Sequence, residues 1–391
     1  MKIFVIVSRI PYPLEKGDKL RAFHQIKELS KHHEIYLCAL SDRPVHKDAI
    51  KTLSEFCKKI EVIRLHKLSI YFNMLIRLLF TNTSLQVAYF YNYKAHQKIK
   101  KLVTEIQPDH IYCQLIRVSE YVKDFPVKKT LDYMDALARG MERRIEEAPF
   151  YLKPFLKIET LRLKRYEHQI FDYFDNITII SKQDRDLIVN AYNHNIVVVP
   201  NGVDYSKYHF KDLPKVYDLV FTGNMGYPPN VNSVLYLVKK IMPLLWQQNP
   251  DIKLVIAGAN PHPKIQALKS KNVIVTGWVE DITTYYAQSK IFIAPMQIGT
   301  GLQNKLLEAM AIKLPCITSE LANNALGATH NENILIGHTP EDYAQLVFEL
   351  LNNPEKAKKI AENGYRFVKE NYTWEGSTAI LENLIVKTSI N

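Results

Sequence analysis

Short apolar runs that alternate with helical patterns are the feature that most constrains the fold of this chain. Runs such as Lys2–Val7, Asp218–Thr222 and Ile291–Ala294 have the length of buried strands, and a loop with Gly or Pro and then a helical pattern follows each. Repeated strand–loop–helix units build parallel sheets. We therefore predict an α/β fold with doubly wound sheets, whose ligands bind beyond the carboxyl ends of the strands.

Composition narrows the class of protein. The 391 residues suffice for two domains with a core each, and 47% apolar with 23% charged residues is typical of soluble globular proteins. Met1 leads directly into a strand pattern without a signal peptide, and the stretch Leu68–Phe80 is too short to span a membrane. We expect a cytoplasmic protein. Its cysteines are scattered, which favours reduced thiols over a disulfide framework or a zinc site: Cys38, Cys57, Cys113 and Cys316.

The net charge of +11 indicates an anionic partner, but charge alone does not choose among nucleic acid, a membrane surface and phosphorylated small molecules. No nucleic-acid motif accompanies the charge, so we expect no nucleic acid. The amphipathic stretch Leu68–Phe80 has Arg64, Lys67 and Arg77 around it, which suits peripheral contact with an anionic membrane surface. A core-facing helix with a solvated basic rim explains the same pattern.

Two predicted strand ends of the first half carry polar residues. The loop Gly17-Asp18-Lys19 follows the first strand, where Gly17 either closes a turn or lets the backbone approach a ligand, and Asp18 is predicted to be a helix N-cap. Asp132 and Asp135 end another predicted strand. They are candidates for a catalytic pair or a metal site, or for a cap of the next helix.

The stretch Ile291–Cys316 combines a strand, a glycine loop and a helix that is predicted to begin near Leu302 and to end before Pro315. A helix N-terminus behind glycines offers free N–H groups to an anion. Lys305 adds a positive charge in the first turn, and Glu308 lies one turn further on the same face. The alternative is an ordinary strand–helix unit with an exposed ion pair.

The run G-T-G-L-Q-N-K-L-L-E-A-M-A in this stretch resembles the sugar-nucleotide loop of retaining GT-B glycosyltransferases of the bacterial family-four type (glycosyl transferases group 1), in the branch with Q-N-K before L-E-A-M-A. The motifs V-P-N-G-V-D, F-T-G-N-M, L-V-I-A-G and V-T-G-W-V extend the resemblance over nearly the whole chain. It implies a GT-B fold of two Rossmann-like domains that face each other across a cleft. The implied parts are an acceptor-side domain at 1–204, a nucleotide-sugar-binding domain at 205–370, and a closing helix at 371–391 that crosses back to the first domain.

The resemblance implies metal-independent, retaining transfer of a hexosyl group from a nucleotide-diphosphate sugar to a glycan or lipid-linked acceptor, in surface polysaccharide or glycolipid assembly. No cofactor is implied beyond the nucleotide sugar as co-substrate, and the place implied is the cytoplasm or the inner face of the membrane. Two alternatives stay open: a catalytically inactive GT-B scaffold that partners an active enzyme, and a GT-B-fold sugar-nucleotide epimerase that would use histidines such as His24 and His110.

The resemblance also implies site residues. The catalytic candidates are Asp135 near the acceptor hydroxyl, Lys305 on the diphosphate and Glu308 on the ribose hydroxyls. Two departures weaken sugar and diphosphate recognition: Thr300 stands where the family commonly has a glutamate, and Asn224 and Asn230 stand in a loop that often carries Arg and Lys. The donor-binding candidates are Gly17, Asp18, Lys19, Gly223, Asn224, Met225, Val279, Gly299, Thr300, Gly301, Leu302, Gln303, Asn304, Lys305 and Glu308.

Overall fold

The structure of the protein is a computed structural model that describes residues 1–299 and 301–390. Thr300, one of the predicted donor-binding residues, lies outside the described residues. The chain divides into two compact units, one formed by Met1–Pro200 with Ser377–Asn391 and the other by Asn201–Gly376. Each unit has its own parallel sheet and its own core.

Strands and helices alternate along most of the chain. The strands are β1 (Lys2–Val7), β2 (Glu34–Ser41), β3 (Lys59–Arg64), β4 (His110–Gln114), β5 (Lys129–Asp132), β6 (Asn176–Ile179), β7 (Val197–Val198), β8 (Tyr217–Thr222), β9 (Leu254–Ala257), β10 (Val273–Gly277), β11 (Ser289–Ala294), β12 (Cys316–Ser319) and β13 (Leu335–Gly337). The helices are α1 (Gly17–Leu29), α2 (Ala49–Leu53), α3 (Lys67–Phe80), α4 (Leu85–Phe90), α5 (Tyr93–Ile106), α6 (Leu137–Glu147), α7 (Lys153–Ile170), α8 (Lys182–Leu187), α9 (Pro228–Tyr236), α10 (Met242–Gln248), α11 (Pro263–Gln266), α12 (Ile282–Ala287), α13 (Asn304–Ala311), α14 (Glu320–Leu326), α15 (Pro340–Asn352), α16 (Pro354–Asn371) and α17 (Trp374–Ile390).

The sheet of the first unit is parallel and has the strand order β3-β2-β1-β4-β5-β6-β7 in the described residues. Its central strand β1 is apolar on both faces because helices cover both sides of the sheet. Ile3, Val5 and Val7 pack in one cluster, whereas Phe4 and Ile6 pack in the other. Alternate side chains of the strand thus serve two separate layers of the core.

The closing helix α17 packs into the first unit. Leu381 and Ile385 are fully buried in the cluster that contains alternate residues of β1. The Nδ2 atom of Asn176 donates a 2.7 Å hydrogen bond to Oγ1 of Thr388, so polar contacts also tie the helix to β6. The residues from Ser377 onward therefore belong to the first unit although they follow the second in sequence.

The sheet of the second unit is also parallel, with the strand order β10-β9-β8-β11-β12-β13 in the described residues. The segment Asn201–Asp204 lies with this unit, where the N–H of Val203 donates to the carbonyl of Tyr372 at 2.9 Å. A Cβ atom at Gly202 would lie 2.2 Å from the backbone nitrogen of Trp374, so this close approach requires glycine. The prediction of two doubly wound α/β domains is confirmed.

One local prediction is wrong. Asp18 does not cap α1, which begins at Gly17 after Lys16. The Asp18 carboxylate instead forms an ion pair with Arg9 at 2.6 Å.

In residues 1–299 and 301–390, every helix is too short or too polar to cross a bilayer.

Candidate functional site

The strand order of the second unit reverses between two neighbouring strands. From β8 the chain proceeds through β9 and β10 to one edge of the sheet, and from β11 through β12 and β13 to the other. Ligands of open parallel sheets bind beyond the carboxyl ends of the strands at such a switch point. The loops after β8 and β11 meet here, since a Cβ atom at Gly299 would lie 3.4 Å from Cβ of Pro229.

Glycines let the loops after β8 and β9 pack against each other. Gly223 and Gly258 both have φ of +144°, a conformation that favours glycine. A Cβ atom at Gly258 would lie 1.9 Å from the carbonyl oxygen of Gly223, and one at Gly223 would lie 2.7 Å from Nδ2 of Asn230. The main chain and the Asn230 amide therefore fill this end of the sheet, with no space for larger side chains.

Lys305 is buried in the first turn of α13, with 9% of its surface exposed. Its Nζ donates a hydrogen bond to Oδ1 of Asn230 and lies 4.7 Å from the ring centroid of Phe221. Burial lowers the pKa of Lys305 to about 7, and the charge of Glu308 opposes that shift. The ammonium group contacts a neutral amide and an aromatic ring, and the charge of Glu308 does not offset its burial, so an anionic ligand would stabilise the charged form.

Glu308 is half-buried on α13, and a tyrosine orients it. The hydroxyl of Tyr286 donates a 3.0 Å hydrogen bond to Oε2, and Tyr208 is also hydrogen-bonded to this carboxylate. Burial raises the pKa of Glu308, while the bonds from Tyr286 and Tyr208 oppose the rise. An ionised carboxylate only accepts hydrogen bonds, and its remaining lone pairs suit the hydroxyls of a ribose.

Among the described residues, the N-cap residue of α13 forms no capping side-chain hydrogen bond. The N-cap residue is Gln303, whose Nε2 atom donates instead to the carbonyl of Gly301 at 2.8 Å. The Oδ1 atom of Asn304 accepts a bond from Asn201 at 3.1 Å, and Leu302 packs against the core. The helix begins two residues later than predicted, which leaves Lys305 in its first turn.

The carboxyl end of β10 presents an aromatic side chain. Gly277 has φ of +77° at the last position of the strand, and Trp278 directly after it is 67% exposed. Val279 is half-buried. An exposed indole beyond a strand end provides a flat apolar surface on which a planar ring can stack.

Two other predicted donor contacts, Asn224 and Met225 in the loop after β8, differ in how far their side chains are exposed to a ligand. Asn224 is exposed, and its Oδ1 accepts a 3.0 Å bond from the N–H of Gly226. The side chain of Met225 is fully buried in the core, and its N–H donates to the carbonyl of Ala259. Met225 therefore positions the loop and has no side-chain surface for a ligand.

The first unit holds the other predicted donor loop. Lys19 donates to the carbonyl of Tyr12 at 3.2 Å, and burial lowers its pKa. A Cβ atom at Gly17 would meet no atom within 4 Å, so nothing in the unit requires glycine there. Asp18 is engaged by Arg9.

Asp132 and Asp135 have different surroundings. Asp132 is fully buried and forms a 2.5 Å ion pair with Nε of Arg21 and a 2.9 Å hydrogen bond with the hydroxyl of Tyr112. It is part of a structural network, so the idea that the two aspartates form a catalytic pair is wrong. Among the described residues, no group of three or more His, Cys, Asp and Glu side chains is arranged to hold a metal ion.

Asp135 is exposed and does not cap α6. The N–H of Ala138 donates to Glu167 instead, at 3.0 Å, and this buried carboxylate fills the capping role. Desolvation by surrounding protein atoms and the charge of Asp184 raise the pKa of Asp135 to about 6, although its exposed surface limits the effect. Such a carboxyl group exchanges protons near neutral pH, as a general acid or base must.

Sequence reasoning missed the tyrosines that hold Glu308. Tyr286 lies in α12, before β11, and Tyr208 lies in the segment that leads into β8. Neither is close to Glu308 in sequence, and neither belongs to a motif. Only the position of Tyr286 in a helix just before the switch-point strand hinted at a place near the site.

Comparisons with known proteins bear on the family and the fold of this chain. Residues 216–353 match the model of the family described as Glycosyl transferases group 1. A relative from Klebsiella pneumoniae is described as an uncharacterized 44.6 kDa protein in the cps region. Its sequence is 25% identical to this one, and the alignment covers 95% of this chain and 96% of the relative. The family match supports a glycosyltransferase.

Solved structures show the fold. Sucrose-phosphate synthase from Thermosynechococcus elongatus superposes with a TM-score of 0.71 at 13% identity, covering 99% of this chain and 98% of that one. Anabaena Alr3699/HepE in complex with UDP-glucose gives a TM-score of 0.69 at 13% identity, covering 99% and 100%. These structural neighbours are GT-B glycosyltransferases, and the chain has the GT-B type of fold.

Proposed function

We propose that this chain is a retaining glycosyltransferase that moves a sugar from a nucleoside-diphosphate sugar to a glycan or lipid-linked acceptor. The observation that carries the proposal is a buried lysine that donates to a neutral amide, with a tyrosine-bound glutamate one turn further on the same helix, at the switch point of the second unit. Similarity of the chain to a protein in a cps region supports a role in surface polysaccharide or glycolipid assembly.

Each part of the site has a role in this proposal. The uncapped N-terminus of α13 and Lys305 bind the diphosphate, Glu308 accepts hydrogen bonds from the ribose, and Trp278 with Val279 borders the base. Negative charge on the diphosphate grows as the glycosidic bond breaks. Fixed N–H dipoles and a desolvated cation stabilise that state more than the ground state, which is how the site accelerates the reaction.

The proposal includes metal independence, because Lys305 and the helix N-terminus supply positive charge where other transferases use a metal ion. Asp135 in the first unit is proposed to act on the acceptor, since its pKa is raised to about 6. The loop Gly17-Asp18-Lys19 stays a predicted donor contact. We also propose a cytoplasmic location, peripheral to the inner face of the membrane.

An inactive scaffold is the second candidate function. Thr300 replaces a glutamate that is common in the resembled family, and Asn224 and Asn230 replace basic residues. The epimerase alternative gains no support from its two candidate histidines, because His24 and His110 are both buried. His110 is hydrogen-bonded to Thr130 and Ser389, and burial lowers its pKa to about 4.

Calorimetric binding to a panel of uridine, guanosine and other nucleoside-diphosphate sugars tests the proposal. We expect one class to bind, and Lys305→Ala and Glu308→Ala each to abolish both binding and turnover. The control is Lys269→Ala, which removes an exposed lysine of the same unit. Retention is read from the anomeric configuration of the product by NMR. Failure of every donor to bind would favour the scaffold, and unchanged transfer by both site variants would refute the site.

A further inference from the structure

Two helices of the first unit expose an unusual amount of apolar surface. On α3 the single described buried residue is Ile70, so the expectation of a helix whose apolar stripe faces the core does not hold. We call the exposed set the α3–α7 surface, and its side chains are each at least 40% exposed. They are Leu68, Tyr71, Phe72, Leu75, Ile76, Leu79, Phe80, Phe150, Tyr151, Leu152, Phe155, Ile158 and Leu161.

The two helices are in contact, which brings their exposed apolar side chains onto neighbouring parts of the first unit. Nη2 of Arg162 on α7 donates to the carbonyl of Leu78 on α3 at 3.2 Å. The buried carboxylate of Glu159 on α7 also accepts bonds from Ser84 Oγ at 2.6 Å and from the N–H of Leu85 at 3.0 Å, at the start of α4. Exposed apolar patches of this extent on a folded unit mark an interaction site.

The exposed charges on the two helices of this surface have one sign. Residues 62–104 contain no Asp or Glu but seven Lys and Arg residues. The two acidic residues of α7, Glu159 and Glu167, are both buried. Within their described residues, α3 and α7 therefore expose no carboxylate, while Lys67 and Lys157 are exposed on them.

Charge decides which partner fits. A second copy docked by two-fold symmetry would bring the same basic side chains against each other. An anionic bilayer matches both features, because apolar side chains enter the boundary between headgroups and acyl chains while Lys and Arg contact lipid phosphates.

We propose that the α3–α7 surface seats the protein on an anionic lipid bilayer. The surface is made by two helices, and α7 with the preceding turn contributes six of the apolar side chains. Resting on the proposed function, this also narrows the acceptor: a transferase held on a bilayer acts on a lipid-linked acceptor rather than on a free glycan.

Sedimentation with vesicles tests the docking without any donor or turnover. The wild type should bind vesicles that contain phosphatidylglycerol, bind pure phosphatidylcholine vesicles at least about tenfold more weakly, and lose binding as salt rises. Phe72→Ser with Leu75→Ser and Phe155→Ser should reduce binding by about tenfold or more. Lys67→Glu with Lys157→Glu should remove the salt-sensitive part.

A matched control removes exposed apolar side chains elsewhere. Val189→Ser with Phe210→Ser changes residues that are 59% and 55% exposed and should bind vesicles like the wild type. Equal thermal unfolding of all variants shows that exposed positions were changed without loss of fold. Equal vesicle binding by the α3–α7 variants and the control variant overturns the proposal. A wild type that does not bind anionic vesicles also overturns it. A dimer that the same substitutions dissociate overturns it in favour of a second copy.

Donor calorimetry on the same variants separates the two proposals. Normal donor affinity with lost vesicle binding supports the α3–α7 surface. If the protein binds vesicles but has no affinity for any donor, the glycosyltransferase proposal is wrong and the proposed docking surface is still supported. For the acceptor, the α3–α7 variants should transfer normally to a detergent-free soluble analogue and lose at least about tenfold of the rate on a vesicle-embedded one. Equal loss on both acceptors contradicts the lipid-linked assignment.

Discussion

The hydroxyl of Tyr286 donates a hydrogen bond of 3.0 Å to Oε2 of Glu308. Tyr286 is fully buried, and its hydroxyl lies 2.6 Å from Oγ1 of Thr222 at the end of β8. Since the phenol has one proton and gives it to the carboxylate, Thr222 donates to Tyr286. A chain of hydrogen bonds thus connects the end of β8 to the glutamate that we assign to the donor ribose.

Removing this bond should weaken donor binding. Tyr286→Phe leaves Glu308 without one of the bonds that oppose its raised pKa, so the carboxylate is less well oriented and less fully ionised. We expect the Kd for the donor to rise roughly tenfold, with a smaller change in kcat. The control Tyr285→Phe, on the neighbouring residue of α12, should bind the donor like the wild type. Equal Kd values for all three proteins would show that Tyr286 does not position Glu308.

Lys305 should lower stability while it enables binding. Burial holds the pKa of the folded-state amine at about 7, well below the ordinary lysine pKa of 10.5. Between these two pH values Lys305 binds a proton in the unfolded chain but not in the folded one. The free energy of unfolding therefore rises with pH, and the destabilising effect of Lys305 shrinks across this window. Lys305→Met should raise the free energy of unfolding at neutral pH by roughly 1–2 kcal/mol and abolish donor binding.

Urea unfolding of wild type and Lys305→Met at a series of pH values checks this. The difference between the two proteins should shrink as pH rises from about 7 to about 10. A difference that is constant with pH would mean that Lys305 is charged in the folded protein throughout this range.

Donor binding should take up a proton above neutral pH. The free amine is mainly neutral above its pKa of about 7, and a bound diphosphate favours the charged form. At pH about 8 we expect uptake of nearly one proton per donor, and an affinity that falls up to about tenfold for each further pH unit. Calorimetry in buffers with different ionisation enthalpies measures the uptake directly. The expectation fails if observed enthalpies do not depend on the buffer.

Gly258 should tolerate no side chain. Its φ of +144° strains any L-residue, and a Cβ atom would lie 1.9 Å from the carbonyl oxygen of Gly223. Gly258→Ala should cost about 3 kcal/mol or more of unfolding free energy. At Gly17 a Cβ atom meets nothing within 4 Å, so Gly17→Ala is the matched control and should leave stability nearly unchanged. Chemical denaturation of both variants checks the contrast.

The pair of Arg21 and Asp132 should behave as a buried structural unit. Both side chains have no exposed surface. Arg21→Met leaves a buried carboxylate without its cation and should cost about 3–5 kcal/mol of unfolding free energy. The double variant Arg21→Met with Asp132→Leu should recover most of that loss. If the double variant is no more stable than the single one, the loss comes from packing around Arg21 and not from the stranded charge.

Local signals predicted the strands β1, β8 and β11 to within two residues at each end. A strand such as β1 is apolar on both faces, because helices cover both faces of a parallel sheet. The pattern can be recognised from the six residues of the strand alone. Lys305 and Glu308 were identified in the same way, because residues that are three positions apart in a helix lie on the same face. The prediction that Asp18 caps α1 is wrong because Asp18 pairs with Arg9, a partner that local sequence does not reveal.

Residues that are neighbours in the chain were enough to predict the order of strands and helices, the glycine loops, and the lysine and glutamate of α13. Tertiary structure alone decided that Tyr286 holds Glu308, that Asn230 binds Lys305, and that Arg21 takes Asp132 out of any catalytic pair. It also decided which face of α3 meets solvent. These contacts join residues far apart in sequence, and burial, which sets the pKa of Lys305 and Glu308, exists only once the whole unit has packed.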